Sequence, residues 1–226
     1  MARKTKEEAQ RTRERILDAA VQVFSRRGVA RSSLTDVAEL IGMTRGAVYG
    51  HFRNKGELLV ALFERERLPW ESLAEACEEA SRRDPLGVLR RALVRLLQHA
   101  CANPARIQTL DILFYRVEIA VENEPLMQRI EAARHEARNH MVALLRRAMD
   151  AGQVPATRDP ERDVRFLLCG IGGAMFEWLW EPAEFDLAAE AEALVDTLLQ
   201  PIVGPEAARS ASARARSVAE LGPQGA

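Results

Sequence analysis

Apolar residues return every three to four positions along most of the chain, and prolines cut that pattern into segments of helix length. Ile16, Ala20, Val23 and Phe24 form one stripe; Leu86, Leu89, Leu93, Leu96 and Ala100 form another. Met127, Ile130, Ala137, Met141, Leu144 and Ala148 line a third, and Leu187, Ala191, Leu194, Leu198 and Ile202 the last. Stripes of this period bury one face of an α-helix, whereas a half-buried strand alternates residue by residue. Pro69, Pro85, Pro104, Pro125, Pro155, Pro160, Pro182 and Pro201 punctuate the stripes, because proline lacks the N–H a helix interior needs. The spacing predicts nine helices, at about 6–27, 34–41, 44–51, 55–80, 85–102, 105–122, 125–152, 160–180 and 187–203, the fourth kinked or broken at Pro69. Aromatics make up 5% of the residues and apolar types 47%, so the chain can bury a core but is poor in strand formers. The expected class is all-α.

Several functions are excluded early. Cys77, Cys101 and Cys169 lie far apart without a CxxC pair, so neither a disulfide framework nor a zinc site is expected. The opening MARKTKEEAQRTRERI has no apolar core of the kind a signal peptide carries. The most apolar stretch, Phe166 to Trp180, contains Glu177 and is too short to span a bilayer. A soluble protein of the reducing cytoplasm is expected, with no membrane contact, metal or cofactor. His51, His99, His135 and His140 are the only histidines. His135, Glu136 and His140 miss the HExxH spacing of a zinc protease, and no glycine-rich phosphate loop is present. An enzyme is not expected.

Charge is divided along the chain. Residues 1–56 carry 12 Lys and Arg against 6 Asp and Glu, while the remainder carries 20 against 27. A basic head on an acidic body points to a polyanion as the head's partner. Residues 10–70 are expected to form the head and 71–204 the body. The Arg-, Ser- and Ala-rich tail at 205–226 is expected to be disordered.

The head contains SSLTDVAELIGMTRGAVYGHFRNKGEL at residues 32–58. Ser33 followed by Asp36 is a capping box that opens a short helix with Val37, Leu40 and Ile41 on its apolar face. Gly42 supplies a tight turn and Thr44 caps the next helix. The result is a helix-turn-helix over about residues 33–52, with Val48 and Phe52 as inward anchors and Thr44 to His51 as the helix that enters a major groove. Arg45 can fork onto guanine O6 and N7, the commonest specific base contact. Thr44, Tyr49 and His51 are within reach of phosphates, and Gly46 removes a side chain where the helix must approach the duplex. Lys55 opens the following helix, whose dipole also favours a phosphate. Ser33 and Thr35, at the start of the first helix, complete the candidate DNA-contacting set.

The run from Thr12 to Leu62, carried by ILDAAVQVFSRRGV and SLTDVAELIGMTRGAVYGHFRNKGELL, resembles the DNA-binding domain of the TetR family of bacterial repressors. TKEEAQRTR, GVARSSLTDVAELIG, DPLGVLRRAL and the turn Gly152 to Pro155 are similar to that family's AcrR/TtgR-like repressors of multidrug efflux operons. Gly50 departs from the subgroup, which usually carries a larger residue there. The resemblance implies a homodimer on a palindromic double-stranded DNA operator. Helices 160–180 and 187–203 would form half of a four-helix seam, in which Gly170, Gly172 and Gly173 permit close approach. It also implies a pocket for a small lipophilic inducer, lined by Leu89, Leu93, Leu96, Leu110, Phe114, Met141, Leu144, Leu168, Ile171 and Met175. Leu110 and Phe114 stand where relatives place polar side chains, which makes this pocket drier. Read without the resemblance, the same stripes suit a plain core, so a ligand-independent regulator or an activator of another operon stays open.

Overall fold

The computed structural model describes residues 2–66, 83–117 and 124–220, with side chains described between 6 and 203 except that of Phe114. Among the described residues nine α-helices appear: α1 (Ala2–Arg27), α2 (Leu34–Leu40), α3 (Arg45–Tyr49), α4 (Lys55–Glu66), α5 (Pro85–Ala100), α6 (Pro104–Asp111), α7 (Glu124–Asp150), α8 (Pro160–Trp180) and α9 (Leu187–Glu220). A π-helical turn, Ile112–Arg116, continues α6. Pro69, Cys77 and the second half of the expected helix 55–80 lie outside the described residues, as does the end of the expected helix 105–122.

Pro85, Pro104, Pro125 and Pro160 stand at helix starts, whereas Pro201, expected to punctuate, lies inside α9. Pro104 and Pro160 occupy the first turns of α6 and α8, where an N–H has no intrahelical partner anyway. Asn103 caps α6 by accepting from the Arg106 N–H at 2.9 Å, and Asp159 caps α8 by accepting from the Glu161 N–H at 3.0 Å. Two boundaries differ from expectation. Helical backbone after α6 stops before Val117, which is extended at φ −87° and ψ 117°, inside the expected helix 105–122. The backbone of α9 stays helical to Glu220, beyond Pro205 where the composition predicts an unstructured tail, and the Ala, Arg and Glu residues there are strong helix formers.

The chain divides into two compact units, one holding residues 1–68 and 100–135 and the other 69–99 and 136–226. The expected division at 70/71 therefore meets a chain that returns to the head. The cause is burial. Ile112, Leu113 and Leu126 enter the same apolar core as Ile16, Leu17, Phe24, Val37, Val48, Phe52 and Leu62, and α6 packs on both α1 and α4. Each such buried side chain contributes roughly 1.5–3 kcal/mol. Glu66 at the end of α4 pairs with Arg106 of α6, and Glu64 with Arg129 of α7.

In the second unit, Leu89, Leu93, Leu97, Met141, Leu145, Val164, Leu167 and Ile171 are buried, with Leu187, Ala191, Val195, Leu199 and Ile202 of α9. α8 and α9 pack closely at Gly170, where any Cβ would collide with Leu198. Arg90 of α5 ties down α9 by donating to Asp196 and, at 3.0 Å, to Glu192. Buried Asp163 accepts from Arg158 Nε at 2.8 Å, which keeps the buried carboxylate paired.

Candidate nucleic-acid interface

Local hydrogen bonding builds the helix-turn-helix almost residue by residue. Ser33 Oγ accepts from the Asp36 N–H at 3.3 Å, and the Ser33 N–H donates to Asp36 Oδ2 at 2.8 Å, so both halves of the capping box are made. The Ser33 hydroxyl, donating to Asp36 Oδ2 at 2.7 Å, then the Ser33 N–H and the nearby Arg27 guanidinium hold the Asp36 carboxyl below the ordinary carboxylate range. Gly42 takes φ +65°, a left-handed conformation that closes α2 and starts the turn. Thr44 Oγ1 accepts from the Ala47 N–H at 3.2 Å and starts α3. Val48 and Phe52 are buried in the core, as their spacing requires.

The opposite side of α3 is open. Thr44, Arg45, Gly46 and Tyr49 are exposed. The Arg45 guanidinium carbon lies 5.1 Å from the Tyr49 ring centroid, a cation–π contact that holds both side chains on the outer face. A Cβ at Gly46 would meet nothing within 4 Å. The protein's own packing therefore places no demand for glycine there, and a close external approach would. Gly50 has ordinary right-handed backbone, φ −68° and ψ −21°, and ends the helix. Ser33 is exposed while Thr35 and His51 are half-buried.

Lys55 has a different setting from the one its position suggests. Its Nζ donates to the carbonyl of Val29 at 2.9 Å and to that of Ala30 at 3.4 Å. It thus staples the loop before α2 to the start of α4. Arg31, in that same loop, is not among the residues the sequence singles out; it is exposed two residues before the Ser33 cap. The only sequence signal for it is its place beside a helix N-terminus.

The ten expected ligand-lining residues are distributed over both units. Leu89, Leu93, Met141 and Ile171 are buried in the second unit, and Leu96, Leu144, Leu168 and Met175 are half-buried there. Leu110 is buried in the first unit, and the side chain of Phe114 lies outside those described. No group of His, Cys, Asp and Glu capable of holding a metal occurs among the described residues. No helix among them is long and apolar enough to cross a membrane.

A capped two-helix turn on a basic three-helix core, with an exposed Arg-Gly-Tyr face, defines a helix-turn-helix DNA-binding regulator. Comparison with known proteins gives the family. The model for bacterial regulatory proteins of the tetR family matches residues 16–62. That for the C-terminal region of MAATS-type transcriptional repressors matches 84–203. The HTH-type transcriptional regulator TtgR of Pseudomonas putida is 36% identical over 197 residues, covering 87% of this chain and 94% of that protein. The structure of NalD, the secondary repressor of the MexAB-OprM multidrug efflux pump in Pseudomonas aeruginosa, superposes with a TM-score of 0.79 at 30% identity, covering 87% of this chain and 98% of that one. A SmeT–triclosan complex superposes with a TM-score of 0.72 at 31% identity, covering 87% of this chain and 93% of that one. The chain belongs to the TetR family. It is a DNA-binding transcriptional repressor and not an enzyme.

Proposed function

We propose that this protein binds a palindromic operator as a homodimer in the cytoplasm, represses a multidrug efflux operon, and is released by a small lipophilic molecule bound in the second unit. The observation that carries the DNA reading is the outer face of α3. Its Gly46 has no internal reason to lack a side chain, and Arg45 stands beside it held by Tyr49. In this reading Arg45 forks onto a guanine, a contact of about 1–3 kcal/mol in discrimination. Thr44, Tyr49 and His51 meet phosphates, Ser33, Thr35 and Arg31 meet the backbone at the start of α2, and Lys55 adds its charge while holding the loop.

The dimer rests on α8. Phe166, Cys169, Gly172, Gly173, Phe176 and Trp180 recur along one stripe of that helix and are all exposed. Trp180 is 79% exposed, and a Cβ at Gly172 or Gly173 would meet nothing within 4 Å among the described residues. A contiguous aromatic and small-residue stripe of this kind marks a protein interface. Pairing with a second copy would set two recognition helices about one helical turn apart, roughly 34–36 Å. Efflux control and a lipophilic inducer are supported by NalD's recorded role and the triclosan complex of SmeT, and by the apolar residues of α5, α7 and α8.

The deciding experiment is operator binding by Arg45→Ala. Discrimination between operator and random DNA should fall by about 1–3 kcal/mol, with the thermal midpoint unchanged. An unchanged ratio would remove α3 from base recognition. A panel of lipophilic compounds, read by midpoint shift and by loss of operator binding, tests induction.

A further inference from the structure

The first unit holds a cleft that DNA recognition does not use. α1, α4 and the first turns of α7 border an open space of about 880 Å³, within the range of small-molecule sites. Its apolar lining comprises Leu17, Phe52, Val60, Ala61 and Pro125, of which Leu17 and Phe52 present almost no surface, and most of the remaining lining is charged. Most of these charges are already paired. Arg129 meets Glu64, and Arg65 meets Asp18 at 2.8 Å and Glu14 at 3.7 Å. Glu57 accepts from the Arg53 N–H at 2.9 Å and has the Arg53 guanidinium at 3.9 Å.

Arg13 is the exception. Among the described residues it meets no carboxylate, and its guanidinium carbon lies 4.8 Å from the Phe52 ring centroid. It is half-buried. A partly desolvated guanidinium beside an apolar lining lacks the one partner its donors favour most, an anionic oxygen pair. Charge and shape together ask for an anion carrying an apolar body.

We propose that this cleft binds small organic carboxylates with an aromatic or aliphatic body, as an effector site separate from the inducer site of the second unit. The carboxylate sits on Arg13 and the body lies on Val60 and Pro125, beside the Phe52 ring that Arg13 covers. Phe52 also ends the recognition segment, its N–H donating to the Val48 carbonyl at 3.0 Å. A ligand that draws Arg13 off Phe52 and wedges between α1 and α4 therefore disturbs the seat of α3 and weakens operator binding.

The test uses the full chain with benzoate as probe and benzamide as its uncharged counterpart, followed by calorimetry and by operator titration. Benzoate should bind and lower operator affinity, while benzamide, lacking the charge, should bind about ten- to a hundredfold more weakly. Arg13→Gln should lose benzoate affinity by the same factor and keep its operator affinity without ligand. Ala61→Phe should fill the cleft and abolish binding; if it fails to fold, Val60→Trp, at a half-buried position, serves the same end. Leu168→Trp, in the second unit, should leave the benzoate response intact. Equal benzoate binding by Arg13→Gln, equal binding of benzamide, or binding without change in operator affinity overturns the proposal. So does a loss of the response in Leu168→Trp, which would assign the ligand to the second unit. A loss of operator affinity in ligand-free Arg13→Gln would assign Arg13 to DNA and overturn it as well.

Discussion

Gly46 separates what the fold needs from what DNA needs. It sits inside α3, where glycine costs helix stability by roughly 0.5–1 kcal/mol relative to alanine, and no described residue comes within 4 Å of where a Cβ would stand. Gly46→Ala should therefore leave the thermal midpoint unchanged or raise it, while operator affinity falls; equal operator affinity would mean the duplex does not come close there. Asp36 gives a pH test. Its carboxyl is held below its usual value of 3.8 by the Ser33 hydrogen bonds, with Arg27 a smaller aid. A depressed carboxyl adds stability that is complete above 3.8 and is lost as pH falls through the folded value. Urea midpoints should accordingly fall more between about pH 5 and pH 3 for the natural chain than for Asp36→Asn, on the order of the one group's linkage. Such local devices are readable in the sequence, because Ser33 and Asp36, or Gly42 and Thr44, act on neighbours a few positions away. The Lys55 staple is not, because its carbonyl partners lie on Val29 and Ala30, in another loop, and carbonyls carry no sequence signature.

At the scale of elements, α8 carries two distinct faces. Its buried side, Val164, Leu167, Ile171 and Trp178, faces its own unit, and its exposed stripe supplies the proposed seam. The glycines divide the same way. A Cβ at Gly170 would force the methyl ends of Leu198 aside, while one at Gly172 or Gly173 would meet nothing within 4 Å among the described residues. Gly170→Val should cost on the order of 1–3 kcal/mol by overpacking, read in the unfolding of the protein at any concentration. Gly172→Val should leave the protomer folded and weaken the dimer, read by sedimentation across a dilution series. If Gly172→Val dimerises as tightly as the natural chain, the stripe is not the seam. The helical period places α8 and α9 correctly but cannot say which apolar residues face which neighbour. Leu194 and Leu198, expected in the seam from the sequence, are half-buried in the protomer, and Leu198 lies against Gly170.

For the molecule as a whole, the informative departure from the sequence is the return of residues 100–135 to the head. Apolar periodicity reports that α6 and the start of α7 bury a face, and it is silent on whose core receives it. Because Ile112, Leu113 and Leu126 enter the head's core, the segment that precedes α7 is bound mechanically to α1 and α4. α7 itself continues to Asp150, among residues of the second unit. A ligand that displaces α7 in the second unit thus acts on an element whose first turns are fixed in the DNA-binding unit, through Arg129 and Glu64 as well as Leu126. Induction on this route must obey reciprocity: whatever factor the inducer removes from operator affinity, the operator removes from inducer affinity. Leu93 is fully buried, so enlarging it would test packing more than ligand access. Leu168 is half-buried and is the better position. Leu168→Trp should keep operator affinity within about twofold, since distant sites are nearly independent, and should lose most of the response to a lipophilic inducer. The measurement is operator affinity with and without saturating inducer, and inducer affinity with and without saturating operator. Full induction in Leu168→Trp, or two coupling factors that disagree, would place the inducer elsewhere than among α5, α7 and α8.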